Sequence, residues 1–314
     1  MATPASTTLE ILRIVFPQHV NPAMRLYGGR LMHWICEAGT MCANRHQKGR
    51  VILGAMEDID ILKGVRLGDR VGFTATVQAT FGASMEVRID VMRTDRGGEN
   101  AVHTCRAHLT FIALDDKGTP IPALPVSPHT EAENEAQRRA LARREIRTCR
   151  LADFDASLPV TEAGFSAPAV ATGLRMVTPE MMVGDKVFAG EVMLALDEIA
   201  AIACHRYCKR PAVTASVDAV DFHTPIRGHE LMGFRAALNY IHKSSMEVGV
   251  RVFAEDPFKG TRRRVCTAYA TFVALGENGR PEPVKLFHPV TGGEKSRFEA
   301  GEKRRSARME RIGR

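Results

Sequence analysis

The sequence predicts an α+β protein made of two copies of one domain, and three observations carry this. The stretch Asn21 to Glu37, NPAMRLYGGRLMHWICE, has a counterpart 161 residues on, Met182 to Glu198, MVGDKVFAGEVMLALDE. The same displacement takes Ser84-Met85-Glu86-Val87 to Ser245-Met246-Glu247-Val248. It takes Thr110, Phe111, Ala113 and Leu114 to Thr271, Phe272, Ala274 and Leu275, with no gap from Gly28 to Leu114. Self-similarity of this length marks an internal duplication. Second, each copy holds one long helix-forming segment. Third, four strand-like segments follow it, separated by short turns, which suits antiparallel hairpins rather than parallel crossovers.

Taken in order, Leu9 to Phe16 is apolar and reads as a strand stopped by Pro17. The loop Gln18 to Tyr27 leads to a helix from Gly28-Gly29 to about Asn44, whose Ala38, Gly39 and Ala43 suit close packing on a sheet. Strand segments follow at Val51–Ile61, Arg70–Ala79, Met85–Thr94 and Ala101–Leu114. Gly68-Asp69, Gly82, Gly97-Gly98 and Asp116-Lys117-Gly118 punctuate them as turns. The second copy repeats the plan: a helix at about Gly190–Tyr207, then strands at about Ala212–Phe222, Glu230–Tyr240, Met246–Ala254 and Arg263–Leu275. Between the copies, PIPALPVSP is extended and Pro-rich. Glu131 to Arg147 is a surface helix by propensity, acidic at its start and basic at its end, as the helix dipole favours. The organisation expected is therefore a first domain over 1–125, a linker with a surface helix over 126–165, a second domain over 166–290 and a flexible basic tail over 291–314.

Composition narrows the function classes. The chain has 45% hydrophobic and 25% charged residues, the balance of a globular protein, and no apolar run approaches the ~20 residues of a membrane helix. MATPASTTLE lacks the charged-then-apolar pattern of a secretory signal, so a cytoplasmic location is expected. Cysteines 36, 42, 105, 149, 204, 208 and 266 include no CxxC pair and read as free buried thiols, with no metal site expected. The net charge of +7 points to an anionic partner. Aromatics at 6% and the absence of a nucleic-acid motif favour a phosphate-bearing small molecule over nucleic acid. His33, His46, His103 and His108 form no Ser-His-Asp order with a nucleophile elbow.

With N-x-x-x-x-L-Y-G-G-x-L-M at the helix start, GASMEV at 82–87 and HLTFIAL at 108–114, the chain resembles the hotdog-fold acyl-CoA thioesterases. In its tandem arrangement it is similar to the two-hotdog cytosolic acyl-CoA hydrolases, over about Leu9 to Leu286. The resemblance implies two hotdog domains, each a long helix wrapped by an antiparallel sheet. It implies that they pair within the chain, and that three chains associate into a trimer. The implied reaction is hydrolysis of fatty acyl-CoA, with coenzyme A as part of the substrate and no cofactor. A non-catalytic acyl-CoA sensor and an acyl-thioester hydratase on the same fold are the alternatives.

The family pattern, N-x-x-G-x-L-F-G-G-x-L-x-x-x-x-D-E, places an Asn in the loop before one helix and an Asp within the other. Here each copy keeps one half. Asn21 is present but Cys36 stands at the Asp position; Asp197 is present but Met182 stands at the Asn position. The resemblance implies one composite site, with Asn21 donating to the thioester carbonyl or holding water. Asp197 would act as general base or attack directly to give an anhydride. Each also has a plainer reading: Asn21 as a turn residue before Pro22, Asp197 as a solvated helix carboxylate. Gly190, which opens the helix carrying Asp197, is the expected oxyanion donor, and Gly28 and Gly29 are expected at the substrate. Arg88, Arg206 and Lys243 are candidates for the phosphates of coenzyme A, and Ser84 and Ser245 for its pantetheine path. Cys36 would serve as a nucleophile only with a base beside it, and otherwise packs.

Overall fold

The computed structural model describes residues 2–98, 100–152, 170–286 and 288–313. The first half contains β1 Leu9–Ile14, α1 Gly28–Gln47, β2 Arg50–Met56, β3 Ile59–Asp60, β4 Arg70–Phe81, β5 Ser84–Thr94, β6 Ala101–Leu114 and α2 Glu131–Ala152. The second contains β7 Val170–Met176, β8 Met182–Val183, β9 Lys186–Val187, α3 Ala189–Cys208, β10 Ala212–Val217, β11 Val220–Asp221, β12 Leu231–His242, β13 Ser245–Asp256, β14 Thr261–Ala274 and α4 Gly292–Arg311. Two compact units result. One takes in the described residues of Met1–Pro17, Met32–Leu158 and Ala219–Phe222; the other those of Gln18–Leu31, Pro159–Asp218 and His223–Arg314. The expected boundary at 165/166 lies outside the described residues.

In the first unit the strands run β1-β4-β5-β6-β2-β11, all antiparallel. The helix α1 lies close on this sheet because Gly39 has no Cβ. A Cβ there would come within 3.1 Å of the Phe111 ring and 3.2 Å of Leu109. Ile35, Cys36, Ala38, Cys42 and Ala43 fill the rest of the contact face and are buried. In the second unit β10-β14-β13-β12-β7 form the corresponding antiparallel sheet, and α3 buries Val192, Met193, Leu196, Ala200 and Cys204. Both long helices stop in the same way. Lys48 and Lys209 adopt left-handed backbone at φ 54° and 56°, and Pro211 follows the second stop.

Two expectations need correcting. The tail is no frayed end, and the linker helix is no mere connector: α2 and α4 are the same element in the two copies. Thr130 caps α2 and Thr291 caps α4, each exchanging hydrogen bonds with a glutamate three residues on, Glu133 and Glu294. Arg143 grips Glu86 with two hydrogen bonds of 3.1 and 2.6 Å; Arg304 grips Glu247 at 3.2 and 2.6 Å. Arg147 reaches Glu57 at 2.9 Å, and Arg308 reaches Asp218 at 3.2 Å. Every member of these pairs is displaced by the same 161 residues. The duplicated unit therefore includes the outer helix, and Arg304 and Arg308 of the tail are held by the buried carboxylates Glu247 and Asp218. The thiols depart from expectation at one place: Cys149, on α2, is exposed, while the other six are buried and all seven are free. Among the described residues no helix is long and apolar enough to cross a membrane.

Candidate active site

Asn21, the first turn of α1 and Asp197 all belong to the second unit. The loop before α1 is shaped by Asn21 itself. Its Oδ1 accepts from the amides of Ala23 and Arg25 at 3.0 and 3.1 Å, while its own backbone amide donates to the Arg25 carbonyl. This is the turn role that an Asn before Pro22 suggests. It also anchors the side chain: Oδ1 is committed to the loop, and the amide's donor group is Nδ2. Asn21 is 7% exposed.

Asp197 sits in the third turn of α3 and is 1% exposed. The Thr214 hydroxyl donates to its Oδ1 at 2.8 Å, and the Gly29 amide donates to the same carboxylate. A β-bulge follows Thr214, where β10 slips against β14 between Thr214 and Ser216. Burial raises the Asp197 pKa to about 6; the bonds from Thr214 and Gly29 pull the other way, and neighbouring Glu198 adds to the rise. Tyr27 lies in the same field, its phenol raised by burial and then by Glu198 and Asp197.

The paired glycines explain how α1 gets so close. A Cβ on Gly28 would fall 2.4 Å from the Thr214 side chain, and one on Gly29 would fall 2.8 Å from the Asp197 Cβ. Any larger residue would push the helix start off the carboxylate. The first intrahelical bond of α1 runs from the Leu31 amide to the Tyr27 carbonyl. The amides of Gly28, Gly29 and Arg30 thus precede the ladder and carry the positive end of the helix dipole.

Gly190 does not take the place expected of it. Seven residues separate it from Asp197, ~10 Å along the helix axis. The amide at the carboxylate belongs to Gly29, from a different helix. Ser84 and Ser245 donate to the carbonyls of Phe81 and His242 and close their hairpin turns. Arg88, in the first unit, pairs with Asp90 at 2.9 Å. Arg206 donates to the Val170 carbonyl at 3.0 Å, tying the end of α3 to β7. Lys243 is exposed at the β12–β13 turn with φ 52°, where the first copy has Gly82 at φ 59°. Cys36 is fully buried, and burial pushes its thiol to about 12, which removes it as a nucleophile.

Thr214 is the site residue that the sequence reading missed, yet a signal existed. Its counterpart in the first copy is Leu53, as Cys36 is that of Asp197 and Met182 that of Asn21. A search for polar-for-apolar exchanges between the copies finds all three together.

Two stretches of the chain, residues 25–99 and 184–260, match the model of the thioesterase superfamily. The cytosolic acyl coenzyme A thioester hydrolase of Mus musculus is 30% identical over 308 residues, covering 93% of this chain and 81% of the mouse protein. An acyl-CoA hydrolase from Staphylococcus aureus, solved with butyryl coenzyme A and coenzyme A, is 29% identical over 48% of this chain and 92% of its own, with a TM-score of 0.45. An acyl-ACP thioesterase from Bacteroides thetaiotaomicron has a TM-score of 0.53 over 86% of this chain and 99% of its own, at 11% identity, a likeness of fold. With both repeats matched and the mouse relative aligned over most of both chains, the chain belongs to the thioesterase superfamily as a tandem pair of hotdog domains.

Proposed function

We propose that this protein hydrolyses acyl-CoA thioesters, releasing a carboxylic acid and coenzyme A, at the site built on Asp197. The observation that carries the reading is a fully buried carboxylate whose pKa is raised to about 6, held by Thr214 and by an amide at a helix N-terminus. At pH 7 about ten in eleven such groups are ionised, and each is basic enough to take a proton from water. Asp197 abstracts that proton as the water oxygen bonds to the thioester carbon. The charge that develops on the carbonyl oxygen is met by Asn21 Nδ2 and the Gly28 amide. Collapse of the tetrahedral species breaks the C–S bond, and the departing thiolate takes the proton back from Asp197. Coenzyme A is part of the substrate, and the chemistry calls for no further cofactor.

The kinship with mouse and human proteins whose names include "cytosolic" supports a cytoplasmic location. The resemblance to tandem cytosolic hydrolases supports a homotrimer, which light scattering at micromolar concentration tests; a monomer there would exclude it. The direct test of function is thiol release from a panel of acyl-CoAs, read by absorbance with Ellman's reagent. Release by the native chain and its loss in Asp197→Asn are expected. Equal rates in the two would remove Asp197 from the reaction.

A further inference from the structure

One hydrogen bond near Asp197 plays no part in the proposed chemistry. In the last turn of α3, about two turns beyond Asp197, the His205 ring accepts at Nε2 from the Ala212 amide, at 3.2 Å. A backbone amide can only donate, so Nε2 carries the lone pair and the ring proton is on Nδ1. His205 is half-buried, and burial lowers its pKa, which keeps the ring neutral and the lone pair available. The same residue also ends the helix. Its carbonyl accepts the Lys209 amide at 2.9 Å, where the backbone turns left-handed. His205 therefore holds both the stop of α3 and the start of β10.

The Ala212 amide needs this acceptor. Ala212 is 4% exposed and stands opposite Ala274 on β14. The ladder bond at that end runs from the Leu275 amide to the Pro211 carbonyl. Alternation along an antiparallel pair then turns the Ala212 N–H away from β14, and a buried amide left without an acceptor is costly. Two residues on, ahead of the β-bulge, Thr214 donates to Asp197 Oδ1 at 2.8 Å. The path is closed. Asp197 and His205 share one helix, Ala212 and Thr214 share one strand, and each helix residue is bonded to one strand residue. A strand start held at both points leaves Thr214 little freedom to drift from the carboxylate.

The first copy separates the side-chain bond from the helix stop. Asn44 stands at the position of His205. Its carbonyl accepts the Lys48 amide at 2.8 Å, as that of His205 does for Lys209. Its Oδ1, however, is buried and has no hydrogen-bond partner among the described residues. Ending the helix and starting the next strand thus do not require the side-chain bond. It is present where Asp197 faces Thr214, and missing where Cys36 and Leu53 stand instead.

We propose that His205 is a positioning residue, holding Thr214 within hydrogen-bonding reach of Asp197 through the Ala212 amide, a role in the reaction that rests on Asp197 acting as its general base.

The test compares His205→Leu, which has no acceptor, with His205→Gln, whose Oε1 reaches about as far as Nε2. In His205→Leu kcat should fall roughly fivefold with KM little changed. The acidic limb of its kcat–pH profile should move upward from near 6, because a displaced Thr214 no longer lowers the Asp197 pKa. His205→Gln should restore the limb and most of the rate. His205→Leu/Thr214→Val should be no slower than Thr214→Val, since the His205 bond acts through Thr214. A second readout needs no turnover. The 13C signal of the Asp197 carboxyl, assigned by its loss in Asp197→Asn, should titrate near 6 in the native chain and in His205→Gln, and higher in His205→Leu. His205→Asn brings in the residue of the first copy, whose acceptor is unpaired there, and repeats each comparison should His205→Leu fold poorly. A limb and a carboxyl titration that stay in place without the acceptor, or losses that multiply in the double variant, overturn the proposal. Should the native chain release no thiol while the carboxyl titration still follows His205, the tie stands and the hydrolysis reading falls.

Discussion

The two copies agree on their outer helices and disagree at the residues of the proposed reaction site. Glu86–Arg143 and Glu247–Arg304 are the same ion pair in the same place, each under a capped helix. In contrast, Asn21, Asp197 and Thr214 in one set correspond to Met182, Cys36 and Leu53 in the other. The difference follows from what each feature does. A buried glutamate under a helix needs its arginine in both units, because losing either partner leaves a desolvated charge. A duplicated reaction site carries no such demand on folding. One set can become apolar, and there the replacements pack well: Cys36 is fully buried and the Met182 thioether lies over Gly228.

The largest expected effect tests the part that agrees. Arg143→Ala and Arg304→Ala should each cost ~3–5 kcal/mol, because Glu86 and Glu247 are 2% exposed and would lose their charged partners. Urea unfolding followed by circular dichroism measures this. For Glu86, burial raises the pKa, but hydrogen bonds from His108 and Arg143 outweigh it and bring the value to about 2. A folded pKa below the ordinary 4.5 means stability that is present above pH 4.5 and lost as pH falls towards 2. The Arg143→Ala penalty should therefore shrink at pH 3. A penalty confined to one copy would show that the two outer helices are not equivalent in energy.

The next effect tests the part that differs. Asp197→Asn and Asn21→Ala should each lower kcat by roughly a hundredfold or more, and the double variant should be little worse than the worse single. Cys36→Ala and Met182→Ala should stay within a few fold. The reverse pattern, with Cys36→Ala inactive and Asp197→Asn active, would invert the assignment.

How legible this was in the sequence depends on whether a feature left a residue-to-residue trace. The duplication, both long helices and the split Asn21/Asp197 pair were legible because glycines, apolar spacing and single polar exchanges mark them. The equivalence of α2 and α4 was not, because the two helices share few apolar residues and the alignment fades after Leu114. Only the arginines and the Thr-x-x-Glu caps persist, and these read as surface charge until Glu86 and Glu247 are seen beneath them. Gly190 misled for a geometric reason: helix order in the chain says nothing about which helix N-terminus meets the Asp197 carboxylate. Close approach of Gly29 decides that, and it depends on tertiary packing.

Thr214→Val should have an intermediate effect, about tenfold on kcat. Valine keeps the shape and removes the donor to Asp197 Oδ1. That bond lowers the Asp197 pKa, so its loss should move the acidic limb of the kcat–pH profile upward from near 6. A merely structural role for Thr214 would lower the rate without moving the limb.

The smallest effect concerns stability and carries the opposite sign from catalysis. Asp197 has a folded pKa of about 6 against an ordinary 3.8. Between those values the folded state binds the proton that the unfolded state has released, so stability falls as pH rises from 3.8 through 6 and stays lowered above it. Two pKa units correspond to at most ~3 kcal/mol, and the bonds that an asparagine would lose reduce the gain to about 1 kcal/mol. Asp197→Asn removes the buried charge and should therefore raise Tm at pH 8 by about 2–4 °C, while at pH 4, where the native carboxyl is already protonated and nothing offsets the lost bonds, the variant should unfold below the native protein. The matching change in the first copy, Cys36→Ser, places a polar group in a site that has no charge to relieve, and should only lower Tm at both pH values. A Tm for Asp197→Asn below the native value at pH 8 would mean that the bonds from Thr214 and Gly29 outweigh burial, and that the carboxylate is held for stability as well as for chemistry.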